Sequence, residues 1–142
     1  RAERMVRANI SNYIGIHHLY EDINCITLID AFYKRELNID CISELIPKSI
    51  KEDGRRWMKK TTLCQIEEWA LIHAIKVNLT DAQDFDVIVF KSLKLERPIH
   101  FGMFLKPCHM LHLEEGKTSR YETLTNEWAN CLHAIYRHQS LV

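Results

Sequence analysis

Two hydrophobic rhythms divide this chain near Thr80, and the division limits it to folds that keep helices and strands in separate blocks. Before Thr80 the apolar residues recur at helical spacing. Met5, Val6, Ile10, Tyr13 and Ile14 predict a first helix over residues 3–14, ended at Gly15. Asn24 is a favoured N-cap residue. Leu28, Ile29, Phe32 and Leu37 form an apolar stripe behind it, so a second helix is expected to start there and stop near Asn38. The stretch from Pro47 to Ile75 also reads helical, with a break at Gly54, and Leu71 to Leu79 can end it in extended form.

After Thr80 the pattern is that of short strands. Val87 to Phe90 is a β-rich buried run, and Ile99 to Leu105 a second one. Lys106 and Pro107 mark a turn, Met110 to Leu113 a third strand, and Gly116 and Lys117 another turn. Tyr121 to Leu124 is a fourth short strand, Asn126 to Cys131 a helical turn, and Ala134 to Tyr136 a closing strand. Helices first and strands after define an α+β class, with N-terminal helices packed on a C-terminal antiparallel sheet.

The 142 residues suit one domain spanning the whole chain. Nineteen basic and nineteen acidic residues balance, which gives no chain-wide attraction to nucleic acid. The local cluster of Arg55, Arg56, Lys59 and Lys60 reads as a solvated helix face. No apolar run is long enough to span a bilayer, and no amino-terminal segment has the pattern of a secretory signal. Cys25, Cys41, Cys64, Cys108 and Cys131 are odd in number and form no C-x-x-C pair. That argues against a disulfide framework and for a reducing compartment of synthesis.

Cys25 falls in the first turn of the expected second helix, where backbone amides favour a thiolate. Such a nucleophile needs a base and a group to orient that base. A hairpin centred on Lys106 sets His100 directly opposite His112, so that one ring can bond the other. Gly102 shares their face and leaves room for a helix end or a substrate. Phe101, Met103, Leu105 and Leu111 make the opposite, apolar face, together with His109. Taken singly, each residue has a bland reading: Cys25 as a small buried hydrophobe, the histidines as satisfied buried rings. A rival reading takes sequence neighbours as metal ligands: Cys108, His109 and His112, or His17 and His18, or Cys131 and His133. None has a strong zinc spacing.

These residues resemble the NlpC-type cell-wall peptidases. YEDINCITLID, Tyr20 to Asp30, is similar to the segment opening that family's catalytic helix. DVIVF, Asp86 to Phe90, resembles its Gly-Asp-apolar strand, with Phe85 standing where the family carries Gly. IHFGMFL, Ile99 to Leu105, resembles the strand bearing the catalytic histidine. MLHL, Met110 to Leu113, resembles the strand bearing the third polar residue, and Trp128 to Arg137 the family's closing turn and strand. His18, Glu21 and Asp22 stand where the family has a Tyr and a Gly-Gly pair.

The resemblance implies a papain-like fold and a triad of Cys25, His100 and His112. It implies a cysteine endopeptidase that cleaves peptidoglycan stem peptides without a cofactor or metal. The small members most similar to this chain belong to the tail tips of bacteriophages. That implies a virion protein, made in the host cytoplasm and acting on the cell wall in the periplasm beside other tail-tip proteins. The alternative is a structural tail-tip component that keeps the fold with little or no activity. A weaker third reading is an acyl-processing enzyme acting on another amide or a lipid.

Overall fold

Asn24 starts the helix that organises the molecule. Its side-chain oxygen accepts from the amides of Ile26 and Thr27 at 3.0 Å, while the Thr27 hydroxyl accepts from the Asn24 amide at 2.8 Å. This reciprocal capping box is worth about 1 kcal/mol and fixes Cys25 as the first helical residue, Cys25–Phe32. The helix buries Cys25, Ile26, Leu28, Ile29 and Phe32 and widens into a π-turn over Tyr33–Leu37. It ends at Asn38, whose φ of 55° is the left-handed conformation that Asn tolerates. The start and stop expected from the sequence are both found.

This computed structural model describes residues 6–19, 24–40, 67–68, 70–91 and 98–142. Most of the helical stretch expected from Pro47 to Ile75 lies outside these residues. So do Cys41 and Cys64, the Arg55–Lys60 cluster, and Glu21 and Asp22. Near the amino terminus residues 6–8 are helical and continue as a 3-10 helix, Asn9–Tyr13, which seats Ile10 and Tyr13 in the core.

The second half forms an antiparallel sheet of β1 (Ala74–Val77), β2 (Val87–Lys91), β3 (Pro98–Leu105), β4 (His109–His112), β5 (Arg120–Thr123) and β6 (Leu132–His138). Their spatial order is β1-β6-β2-β3-β4-β5. A short helix, Asn126–Asn130, capped by the Thr125 side chain, connects β5 to β6. Leu71 to Leu79 does turn extended, as β1. The final strand does not close the sheet at an edge; it inserts between β1 and β2. Local periodicity is blind to this long-range pairing.

The strands alternate across two apolar layers. Phe101, Met103, Leu105, Leu111, Val87 and Val89 pack in the layer that includes the Cys25 helix. Ile88, Phe90, Phe104, Met110 and Ile135 pack on the other side, with Trp128 against them. The expected α+β architecture, helices on an antiparallel sheet, is the one observed. No helix among the described residues is long and apolar enough to cross a membrane.

Candidate active site

Leu105 faces His109 across the β3–β4 hairpin, so Lys106, Pro107 and Cys108 form its turn. Consequently Gly102, not His100, lies directly opposite His112. The expected register, centred on Lys106, is off by two residues because the turn is longer than the Lys106–Pro107 signal implies. A slip of two keeps side-chain parity. His100 and His112 therefore still share a face, as diagonal neighbours, and His100 Nε2 lies 2.7 Å from His112 Nδ1. On the far side His112 Nε2 bonds a carboxylate oxygen of Glu122 on β5. A chain of three polar groups thus crosses three adjacent strands.

An aromatic cover shields this chain from water. The Trp128 indole sits 5.2 Å from the His100 ring and 5.4 Å from the His112 ring, and the Phe90 ring stacks on His100 at 5.9 Å. His100 is 6% exposed and His112 1%. Burial pushes His100 down to about 3, with the charges of His112 and Arg120 acting the same way. Burial also lowers His112, against the upward pull of Glu122 and Glu114. Both rings are therefore neutral near pH 7.

Cys25 lies at the helix start, as expected, but it is 3% exposed. Burial pushes its thiol up to about 12, although the backbone amides of Phe101, Ile26 and Cys25 itself pull it down. The helix-end effect expected to make a thiolate is outweighed by desolvation: the end of a helix contributes about 1 kcal/mol, whereas removing a charge from water costs several. Among the described residues no hydrogen bond joins the thiol to either imidazole. The Phe101 amide that approaches the sulfur follows directly after His100, so thiol and imidazole flank the same peptide of β3. Strand alternation sends the Phe101 side chain into the layer of the Cys25 helix and the His100 ring to the Trp128 side.

Gly102 does not leave the opening expected of it. A Cβ there would meet the Met110 sulfur at 3.1 Å, Phe90 at 3.6 Å and the His112 Cβ at 3.7 Å, so the space is filled from within the sheet. His109 lies on the other face, as expected, stacked on Tyr121 at 4.9 Å. That parity separates it from His112 and removes Cys108, His109 and His112 as a ligand set. The group among the described residues whose ligand atoms come within 4.8 Å of one another is His112, Glu114 and Glu122. Arg120 already bonds Glu114 and lies 3.6 Å from Glu122, so the position a cation would need is neutralised from within the protein.

Glu122, Arg120 and the covering position of Trp128 were missed by the sequence reading. The alternation Arg120-Tyr121-Glu122-Thr123 carried a signal, since Arg120 and Glu122 share a face. The turn expected at Gly116 and Lys117 is found, with Gly116 at a φ of 75°, but His112 pairs with Arg120 across a seven-residue connection, too long for that turn alone to count the β4–β5 register.

The chain has the NlpC/P60 papain-like fold. It is similar to a lipoprotein-like NLP/P60 family protein of Staphylococcus aureus at 16% identity and TM-score 0.62, covering 96% of this chain and 41% of that one. It is similar to an NlpC/P60 family protein of Bacillus cereus at 14% identity and TM-score 0.67, covering 97% and 40%. The NlpC/p60 domain of the peptidoglycan hydrolase SagA aligns at 12% identity and TM-score 0.59, over 93% of this chain and 95% of that domain. The chain thus spans about two fifths of the length of the first two proteins. No protein-family model and no curated protein sequence matches it.

Proposed function

We propose that this chain, as one domain, is a cysteine endopeptidase acting on peptidoglycan stem peptides, with Cys25 as nucleophile, His100 as base and His112 as its orienting partner. The observation that carries the reading is the His100–His112 hydrogen bond, on the strand whose Phe101 amide approaches the sulfur of a cysteine at a capped helix start, in a fold shared with a peptidoglycan hydrolase domain. In the reaction the Cys25 thiol proton passes to His100 Nδ1 as sulfur attacks the amide carbonyl. The carbon–nitrogen bond breaks while His100 returns the proton to the leaving amine. Water then attacks the thioester, again through His100, releasing the acid and restoring the thiol. The finer placement, a bacteriophage tail-tip enzyme working beside other tail-tip proteins, is supported by the sequence resemblance alone.

Cys25→Ala is expected to abolish cleavage of purified muropeptides while leaving thermal stability nearly unchanged. Cleavage surviving in that variant would refute the assignment.

The burial of Cys25 and His100 favours a second reading, a scaffold that keeps the fold with little or no activity. Iodoacetamide at neutral pH separates the two. Preferential labelling of Cys25 supports the enzyme; uniform inertness of the thiols, Cys25 included, supports the scaffold.

A further inference from the structure

We infer that Glu122 is a positioning residue that dictates, through His112, which ring nitrogen of His100 carries the proton. The purpose of that arrangement rests on the hydrolase reading above, but the arrangement itself is read from the hydrogen bonds. A carboxylate only accepts, so the bond between Glu122 and His112 Nε2 puts a proton on that nitrogen. In a neutral ring His112 Nδ1 is then a lone pair. It lies 2.7 Å from His100 Nε2 and must accept from it, which puts the His100 proton on Nε2. His100 Nδ1 is left as the basic nitrogen, the lone pair that the hydrolase reading requires.

The opposite polarity would disable the base. With a proton on His112 Nδ1, His100 Nε2 would be the acceptor and Nδ1 would carry the hydrogen. Nothing in the two rings alone selects between these polarities. Glu122 does, because it closes the far end of the chain with an acceptor. Its own position is set by β5, where Arg120 faces the same side and pairs with both Glu114 and Glu122. Burial of His112 favours its neutral form, the form in which the relay transmits a tautomer rather than a charge. Trp128 keeps solvent from supplying a competing acceptor.

The test reads the tautomers directly, by imidazole proton–nitrogen correlation NMR on the isotope-labelled full chain near pH 7, without substrate. Wild type is expected to show Nε2–H on both His100 and His112. Glu122→Leu removes the acceptor at similar size and is expected to give mixed tautomers on both rings. Glu122→Gln, which keeps a carbonyl oxygen, is expected to hold the wild-type pattern. In turnover, Glu122→Leu should lower kcat roughly 100-fold with little change in KM, and Glu122→Gln should recover most of it. Nδ1–H on His100 in wild type, or unchanged tautomers in Glu122→Leu, overturns the inference. Should Glu122→Leu fail to fold, the wild-type spectrum decides alone. A wild type with the expected tautomers but no cleavage of any muropeptide would defeat the hydrolase reading and leave the role of Glu122 standing.

Discussion

The indole of Trp128 lies 5.2 Å from the imidazole of His100, and it is carried by the short helix between β5 and β6, on the side of the sheet away from the Cys25 helix. The same indole is 4.9 Å from Phe90 and 5.4 Å from His112. One side chain on a short connecting element therefore keeps water from two titratable rings.

Removing that cover has a signed consequence. Desolvation is the first cause of the depressed His100, so Trp128→Ala should move its titration upward, toward the ordinary 6.5. The half-buried indole also contributes about 1–2 kcal/mol of apolar burial, which the variant should lose. An NMR pH titration of His100 in both proteins checks the first effect and urea denaturation the second. A His100 that titrates at the same pH with and without the indole would show that the sheet itself, not Trp128, keeps the ring dry.

Three buried histidines among the described residues, His100, His112 and His138, make stability depend on pH. All have folded values below the ordinary 6.5, with desolvation the first cause, so below that pH the unfolded chain binds protons the folded chain refuses. Their contribution is fully present above about 6.5 and is lost as pH falls from there toward the folded value of His100, about 3. The slope is about 1.4 kcal/mol per pH unit for each ring that resists protonation. Urea midpoints should be flat from pH 8 to about 7 and fall steeply below about 6. His100→Gln should flatten part of that fall. A wild-type profile level down to about pH 4 would contradict the burial of these rings.

Much of this site was legible because parity is robust. The sequence set His100, Gly102 and His112 on one face of the hairpin and Phe101, Met103, Leu105 and His109 on the other. A register error of two residues left every side chain on its expected face. The Asn24 cap was legible because capping is local chemistry between a side chain and the next turn. The position of β6 between β1 and β2 was not, since strand order is decided by pairings between distant segments. Nor was the burial of Cys25. A helix start looks electropositive in sequence, and how much water reaches it depends on the sheet packed against it.

Asp86 and Arg137 should dominate the response of the β2–β6 junction to mutation. Asp86 is fully buried, and its two oxygens accept from Arg137 at 3.0 and 2.9 Å, with the Gln83 amide at 2.8 Å. Arg137 also donates to the Asp81 carbonyl at 2.9 Å, tying β6 to the segment that enters β2. Arg137→Ala would leave a buried carboxylate with one amide donor, at a cost of about 3–5 kcal/mol. Combining it with Asp86→Asn should recover a large part, because the stranded charge is gone. A loss below about 1 kcal/mol for the single variant would mean that water reaches Asp86 as it would reach a surface pair.

Phe85 reverses the usual ranking of alanine and glycine. Its φ of 78° is in the left-handed region, where a Cβ costs about 1–2 kcal/mol. It is held there by its amide, which donates to the Phe104 carbonyl at 2.8 Å. The Tyr33 hydroxyl donates to its carbonyl, and its ring packs 5.6 Å from Phe32. Loss of the buried ring costs about 3–5 kcal/mol in either small variant. Phe85→Ala keeps the backbone cost as well, whereas Phe85→Gly sheds it. Phe85→Gly should therefore be the more stable of the two by about 1 kcal/mol, although glycine ordinarily ranks below alanine inside regular structure. Urea denaturation of both variants measures the difference. Alanine matching or exceeding glycine would show that this backbone relaxes out of the left-handed region once the ring is removed.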